Sequence, residues 1–258
     1  MQWLVVRLGR RLVSLFASDT VLHDGLVLPA KHLRSCGRKF RHDEYFLASA
    51  QAEADRLVER LGLTASSRLL DVGCGVGRLA LGILRRIGAI KAYRGIDVDK
   101  EAIRWCQWHI TSQHPAFQFF PVNVEHPRYN PRGKKADTRF SLPFNDGEFD
   151  VIYVYSVLSH MLPKDIELYL AEFQRLLSPS GKVFLTAFVE EDVPKVAVNP
   201  TGYRKTKWVG PLHCVRYSKG FFESLLVGSG FRTEGFSYAA ETDGQSAFYI
   251  VRGNPGGI

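Results

Sequence analysis

The sequence predicts an α/β fold, a doubly wound and mostly parallel sheet, on three observations. Short runs of β-forming residues alternate with amphipathic helical runs through the middle of the chain. The first such run, LLDV, opens into Gly73, Gly75 and Gly77, glycines at every second position. The second ends on an acid, Asp97, in the segment RGIDVDKEA. Alternation at this spacing calls for parallel strands joined by crossover helices that cover both faces of the sheet.

The elements follow in order. Residues 1–17 (MQWLVVRLGRRLVSLFA) place Leu4, Leu8, Leu12, Leu15 and Phe16 on one helical face and Arg7, Arg10, Arg11 and Ser14 on the other. Such a helix packs on the domain or makes peripheral contact with a membrane. It carries too many arginines for a signal-peptide core. From Pro29 to Arg41 the chain reads as basic and irregular, and a helix runs from Asp43 to the stop at Gly62. Strands are predicted at 68–72, 92–97, 117–122, 149–155 and 182–189, with helices at 76–87, 100–112 and 164–177. The aromatic residues of FQFF alternate within a strand, which makes them core. A Pro/Lys-rich excursion leads to Tyr217, followed by a helix at 219–227 and strands at 231–238 and 245–251. The reading is one domain over 1–258: an N-terminal helical extension over 1–62, then a core over 63–258 with inserts at 123–143 and 190–217.

Composition narrows the function classes. The 258 residues, 45% hydrophobic and 23% charged, suit a folded soluble protein. No apolar run approaches the ~20 residues that cross a bilayer. Cys36, Cys74, Cys106 and Cys214 form no CxxC pair, which speaks against a zinc site or a disulfide framework and for a reducing, cytoplasmic setting. No metal is expected. The formal charge of +8 is unevenly spread: 1–42, 126–139 and 194–219 carry +6, +4 and +6, leaving −8 for the rest. Basic additions on an acidic scaffold point to an anionic small molecule, a nucleic acid or an anionic membrane.

A glycine turn between strand and helix suits a phosphate loop, a dinucleotide site or an S-adenosylmethionine site. A phosphate loop ends in Gly-Lys-Ser/Thr, whereas Arg78 and Leu79 follow Gly77 here. The dinucleotide pattern needs a small residue where Arg78 stands. Asp71 would repel a pyrophosphate, while S-adenosylmethionine presents an ammonium and a sulfonium instead. Asp97 is placed to take two ribose hydroxyls.

With those residues in view, the chain resembles the class I S-adenosylmethionine-dependent methyltransferases. LLDVGCGVGRLA is similar to their first motif, GIDVDKEAI to the second, and LPFNDGEFDVIYVYSVLSHM to the fourth-strand motif. WCQWHI, YNPRGK, SHMLPKDIELYLAE and DGQSAFYI resemble a branch acting on small molecules and glycosyl groups. The resemblance implies a Rossmann-like sheet of seven strands, the last antiparallel, with the cofactor over the carboxyl ends of the first three. It implies that Asp71, Gly73, Gly75 and Gly77 line the methionine end, Asp97 and Val98 the ribose, and Asn123 the adenine, where the family often has an acid. Cys74, Val124 and Tyr155 complete the implied cofactor set.

Transfer to a hydroxyl needs alignment, exclusion of water and a base. His160, just beyond the fourth strand, is the leading candidate, with an imidazole that titrates near neutrality when unperturbed; His213 and Tyr45 follow, and Tyr155 is placed to border the acceptor. The expected reaction is O-methylation of a small-molecule, glycosyl or lipid-linked hydroxyl on an anionic acceptor. The alternatives are RNA methylation, prompted by the basic charge, C-methylation of a ring or quinone, and a non-catalytic binding subunit. The segment YVYSVLSH after strand four lacks the Asn/Asp-Pro-Pro-aromatic run that favours amino groups of bases, and no RNA-binding module is appended, so nucleic acid is disfavoured. Oligomeric state is not legible.

Overall fold

The computed structural model describes residues 19–35 and 37–253. The amphipathic stretch 1–17 and Cys36 therefore lie outside the described residues. The described chain begins with a hairpin, β1 (Thr20–His23) and β2 (Leu26–Pro29), whose register pairs His23 with Leu26. Asp24 and Gly25 form its turn with φ of +49° and +77°, the left-handed pair that a type I′ turn requires. The N-terminal extension is thus hairpin and helix rather than helix alone. Two 3₁₀ turns lead into α1 (Asp43–Leu61), which buries Phe46, Leu47, Ala50, Ala54, Leu57 and Leu61 and stops at left-handed Gly62.

The core then unfolds as expected: β3 (Arg68–Val72), α2 (Arg78–Arg86), β4 (Ala92–Asp97), α3 (Lys100–Cys106, continued by a π turn to Thr111), β5 (Phe117–Pro121), β6 (Phe149–Val154), α4 (Pro163–Leu176) and β7 (Leu177–Glu190). Helices α1 and α2 touch backbone to backbone at Gly82, where an added Cβ would stand 2.0 Å from the Ala50 carbonyl oxygen. β7 begins earlier than expected. Leu177 pairs with Phe149 and Lys182 with Val151, so the residues between them form a bulge at the strand's start.

The second insert is more ordered than an excursion. It contributes β8 (Val196–Val198) and β9 (Val215–Ser218), and β9 pairs in parallel with the end of β7. After α5 (Lys219–Gly228) come β10 (Phe231–Ser237) and β11 (Ser246–Arg252). The central sheet has the order β10-β11-β7-β6-β3-β4-β5, and β11 runs antiparallel to both its neighbours. The chain winds outward from β3 to β5 and then returns to β6 on the other side of β3. Connections diverge at that point, and a crevice opens over the carboxyl ends of β3, β4 and β6. Among the described residues no helix is long and apolar enough to cross a membrane.

Candidate active site

A cavity of about 350 Å³ occupies that crevice. The glycine turn forms its floor. Gly73 (φ +75°) and Cys74 donate their amides to the Ile96 carbonyl, which folds the turn back onto β4. An added Cβ at Gly73 would meet Val157 Cγ2 at 2.4 Å, whereas one at Gly75 would meet nothing within 4 Å. Gly75 therefore leaves space at the cavity. Gly77 does not line it: a Cβ there would press on Ile110 Cδ1 at 2.7 Å, so this glycine serves helix packing.

The two acids take different environments. Asp97 Oδ2 accepts the Gly75 amide at 2.7 Å and Oδ1 the Asp99 amide at 2.9 Å. A carboxylate offers about four lone-pair directions, so both oxygens can still accept from an occupant. Asp71 is buried below the turn, where its Oδ2 accepts the Tyr93 hydroxyl. Burial raises the Asp71 carboxyl to about 7 and raises Asp97 as well.

The remaining wall of this end includes Val98, Asp99, Val122 and Val124. Asn123, expected at the adenine, faces away: it is exposed, and its Oδ1 accepts from Asn130. Strand-like alternation past β5 explains this, because Val122 and Val124 take the inward positions. Cys74 lines the floor as a buried thiol whose pKa burial pushes well up.

Arg78 is the residue that excluded a dinucleotide, and its role is local. It forms a buried ion pair with Glu53 of α1 at 2.6 Å and lies between the rings of Phe40 and Tyr155. The N-terminal extension is thereby fastened to the glycine turn. Tyr155 lines the cavity and shares a 2.8 Å hydrogen bond with Thr242. One residue that sequence reasoning missed is Tyr153. Its hydroxyl is buried with no partner among the described residues, and Tyr153 lines the same cavity. The signal was available, since Tyr153 and Tyr155 share a face of β6 by strand alternation.

The opposite wall comes from both inserts. His160 sits in a short 3₁₀ turn after β6, and its Nδ1 donates to the Leu212 carbonyl at 3.1 Å. A carbonyl only accepts, so the lone pair resides on Nε2. His126, also unforeseen, donates from Nε2 to the His160 carbonyl at 2.8 Å and accepts the Arg128 and Tyr129 amides at Nδ1. Burial lowers His160 to about 4 and lowers His126 and His213 as well. The expectation of a base titrating near neutrality is corrected accordingly. His213 lines the cavity beside Trp208, their rings perpendicular at 5.2 Å. Tyr45 does not line it: 40% exposed, its ring packs edge-on against Phe40.

The cofactor end is thus rich in acceptors, with Asp71, Asp97 and Asp99 and the unpartnered Tyr153 hydroxyl. It suits a nucleoside bearing cationic groups and repels a pyrophosphate.

Comparison with known proteins agrees with this geometry. Residues 70–185 match the family model described as methyltransferase domain. The chain is 27% identical over 137 residues to methyltransferase GfsG of Streptomyces halstedii, a match covering 52% of this chain and 42% of that one. The chain spans about half the length of the curated relatives it matches. Among solved structures it is similar to the [4+2]-cyclase SpnF (TM-score 0.58, 19% identity, 80% of this chain and 82% of that one). It is also similar to the 1,6-didemethyltoxoflavin-N1-methyltransferase of Burkholderia thailandensis, solved with 1,6-didemethyltoxoflavin and S-adenosylhomocysteine (TM-score 0.54, 17% identity, 96% and 90%). At these identities the two structures speak for the fold alone. The matched span holds the glycine turn, Asp97 and His160, and so residues 70–185 are a methyltransferase domain, similar to those of the class I S-adenosylmethionine-dependent enzymes.

Proposed function

We propose that this chain is a cytoplasmic enzyme that transfers the methyl group of S-adenosylmethionine to a hydroxyl of a small, glycosyl-bearing or lipid-linked acceptor. One observation carries the reading: the acceptor-rich cofactor end and the His160 imidazole line one continuous cavity. Bound S-adenosylmethionine supplies the activated methyl group.

The chain's own residues do the rest. Asp97 takes the ribose hydroxyls through the lone-pair directions that Gly75 and Asp99 leave free, and Val122 and Val124 flank the base. Asp71, when ionised, attracts the positive end. Alignment of the acceptor in the cavity supplies ~7–11 kcal/mol of the barrier reduction. His160 stays neutral at physiological pH and offers a lone pair at Nε2 for the hydroxyl proton, a contribution of roughly a hundredfold, the low end for a general base because burial makes this imidazole weakly basic.

The acceptor wall is aromatic, with Tyr129, Trp208 and Phe188 beside His160 and His213. A planar portion of the acceptor fits among those rings. Of the arginines on the lining, Arg34 pairs with Asp43 and Arg78 with Glu53. Arg128 instead donates to the Val209 carbonyl at 3.2 Å, and so it is the cation we assign to an anionic substituent of the acceptor.

Purified protein with methyl-labelled cofactor and a panel of hydroxylated acceptors, with and without a carboxylate or phosphate, tests this. His160→Ala is expected to lower turnover by about a hundredfold or more, with affinity for S-adenosylhomocysteine kept. With S-adenosylmethionine saturating, the acid limb of the wild-type rate profile is expected near pH 4, because the neutral imidazole persists down to that point. Near-normal turnover of the variant across about pH 6–9 would transfer the role of base from His160 to His213.

A further inference from the structure

The N-terminal hairpin turns an apolar pair outward. Leu22 and Val27 face each other across the strands and are 75% and 42% exposed, while Leu28 on the opposite face is fully buried. Leu26 at the turn is exposed too. The solvent face of such a ribbon ordinarily takes polar side chains, and a two-stranded hairpin is marginal unless it is anchored. The anchor is Arg34. Its buried guanidinium donates from Nε to the Pro29 carbonyl at 2.9 Å and from Nη1 to the Phe40 carbonyl at 3.2 Å, and it pairs with Asp43 at 2.7 Å.

One side chain therefore gathers the hairpin, the two 3₁₀ turns and the start of α1 into a single knot. That knot exposes Lys31, Arg38, Lys39 and Arg41. Its carboxylates are Asp19, 3.9 Å from His32 Nε2, Asp24 at the turn, Glu44, and Asp43, which Arg34 holds and Lys31 approaches at 3.7 Å. Among the described residues no carboxylate forms an ion pair with Arg38, Lys39 or Arg41. The same segment edges the cavity, since Ser35, Gly37 and Phe40 line it.

We propose that the β1–β2 hairpin and the basic segment 31–41 form a docking surface for an anionic lipid bilayer. Apolar side chains held outward beside unpaired cations suit a membrane interface, where the first enter the headgroup boundary and the second meet lipid charge. The sign of the charge selects an anionic occupant, because residues 31–41 hold Lys31, Arg34, Arg38, Lys39 and Arg41 and no carboxylate of their own. Docking sets the cavity mouth at the interface, where an amphiphilic acceptor concentrates; this last clause alone rests on the methyl-transfer reading.

The test is co-sedimentation of the full chain with vesicles of phosphatidylcholine alone and of phosphatidylcholine with phosphatidylglycerol. Binding is expected to the anionic vesicles and to weaken with salt. The triple variant Arg38→Glu/Lys39→Glu/Arg41→Glu, and separately Leu22→Ser/Val27→Ser, are each expected to lower the partition coefficient about tenfold or more. Far-ultraviolet circular dichroism establishes that both variants are folded, and S-adenosylhomocysteine titration, expected to be unchanged, keeps this test separate from the transfer reading. Failure of the wild-type chain to sediment with anionic vesicles overturns the proposal. So does equal binding to both vesicle types, or wild-type binding by both folded variants, which would put the contact elsewhere on the chain.

Discussion

The two walls of the cavity are built in different ways. On the glycine-turn side, backbone amides tie the turn after β3 to the end of β4, Gly73 and Cys74 to Ile96 and Gly75 to Asp97, and the Asp99 amide holds the same Asp97 carboxylate locally. On the acceptor side, His126 to His160, His160 to Leu212 and Arg128 to Val209 span 34, 52 and 81 residues and join two inserts. The first wall is a property of the sheet edge and has little freedom. The second is a pair of loops stitched over a scaffold, the arrangement in which specificity varies without cost to the fold. On the proposed function, the glycine-turn side defines the chemistry and the insert side defines on what it is performed.

Substitutions sharpen that contrast. The largest effect is expected from Gly73→Ala, where a left-handed backbone costs about 1–3 kcal/mol and the new Cβ collides with Val157 Cγ2. Gly75→Ala meets no neighbour and should lose only the strain, about 1–2 kcal/mol. Urea denaturation of both variants checks the order. Equal destabilisation would mean that Val157 gives way to the new Cβ at no cost.

A smaller effect concerns pH. Asp71 is raised to about 7 by burial, so below that pH it is neutral and no longer attracts a cation. Affinity for S-adenosylmethionine should therefore weaken as pH falls from about 8 to 6, and Asp71→Asn should abolish the dependence. The sign for folding is opposite. A folded pKa above the unfolded one gives a contribution that is complete below the unfolded value and is lost as pH rises toward 7.

Much of the scaffold side was legible in the sequence, because strand runs, the glycine turn and Asp97 are local signals. β3 and β4 occupy the expected residues, and β5, β6 and β10 end one residue early. The start of β7 was not legible, since Leu177 reads as the last apolar position of the α4 stripe and only pairing with Phe149 assigns it to the sheet. The hairpin carried a signal that went unused: Asp24-Gly25 between TVLH and LVLP is a strong turn dipeptide. His126 had none. Its ring acts through the His160 carbonyl 34 residues away, and no periodicity in HPRYN announces such a contact. Tyr45 and Asn123 failed for a simpler reason: each adjoins a residue that points inward, Phe46 in the first turn of α1 and Val122 just past β5, and residue type alone does not say which of two neighbours faces the cavity.

The central claim is that the floor made by Asp97 and the glycine turn is a site for S-adenosylmethionine. Titration calorimetry with S-adenosylhomocysteine, NAD and ATP tests it most directly. Binding of the first and not of the other two is expected. Asp97→Ala, which strands the Gly75 and Asp99 amides along with two ribose hydroxyls, should weaken it by about ten- to a hundredfold, and Asn123→Ala should leave it unchanged. Binding of NAD with no binding of S-adenosylhomocysteine would contradict the account.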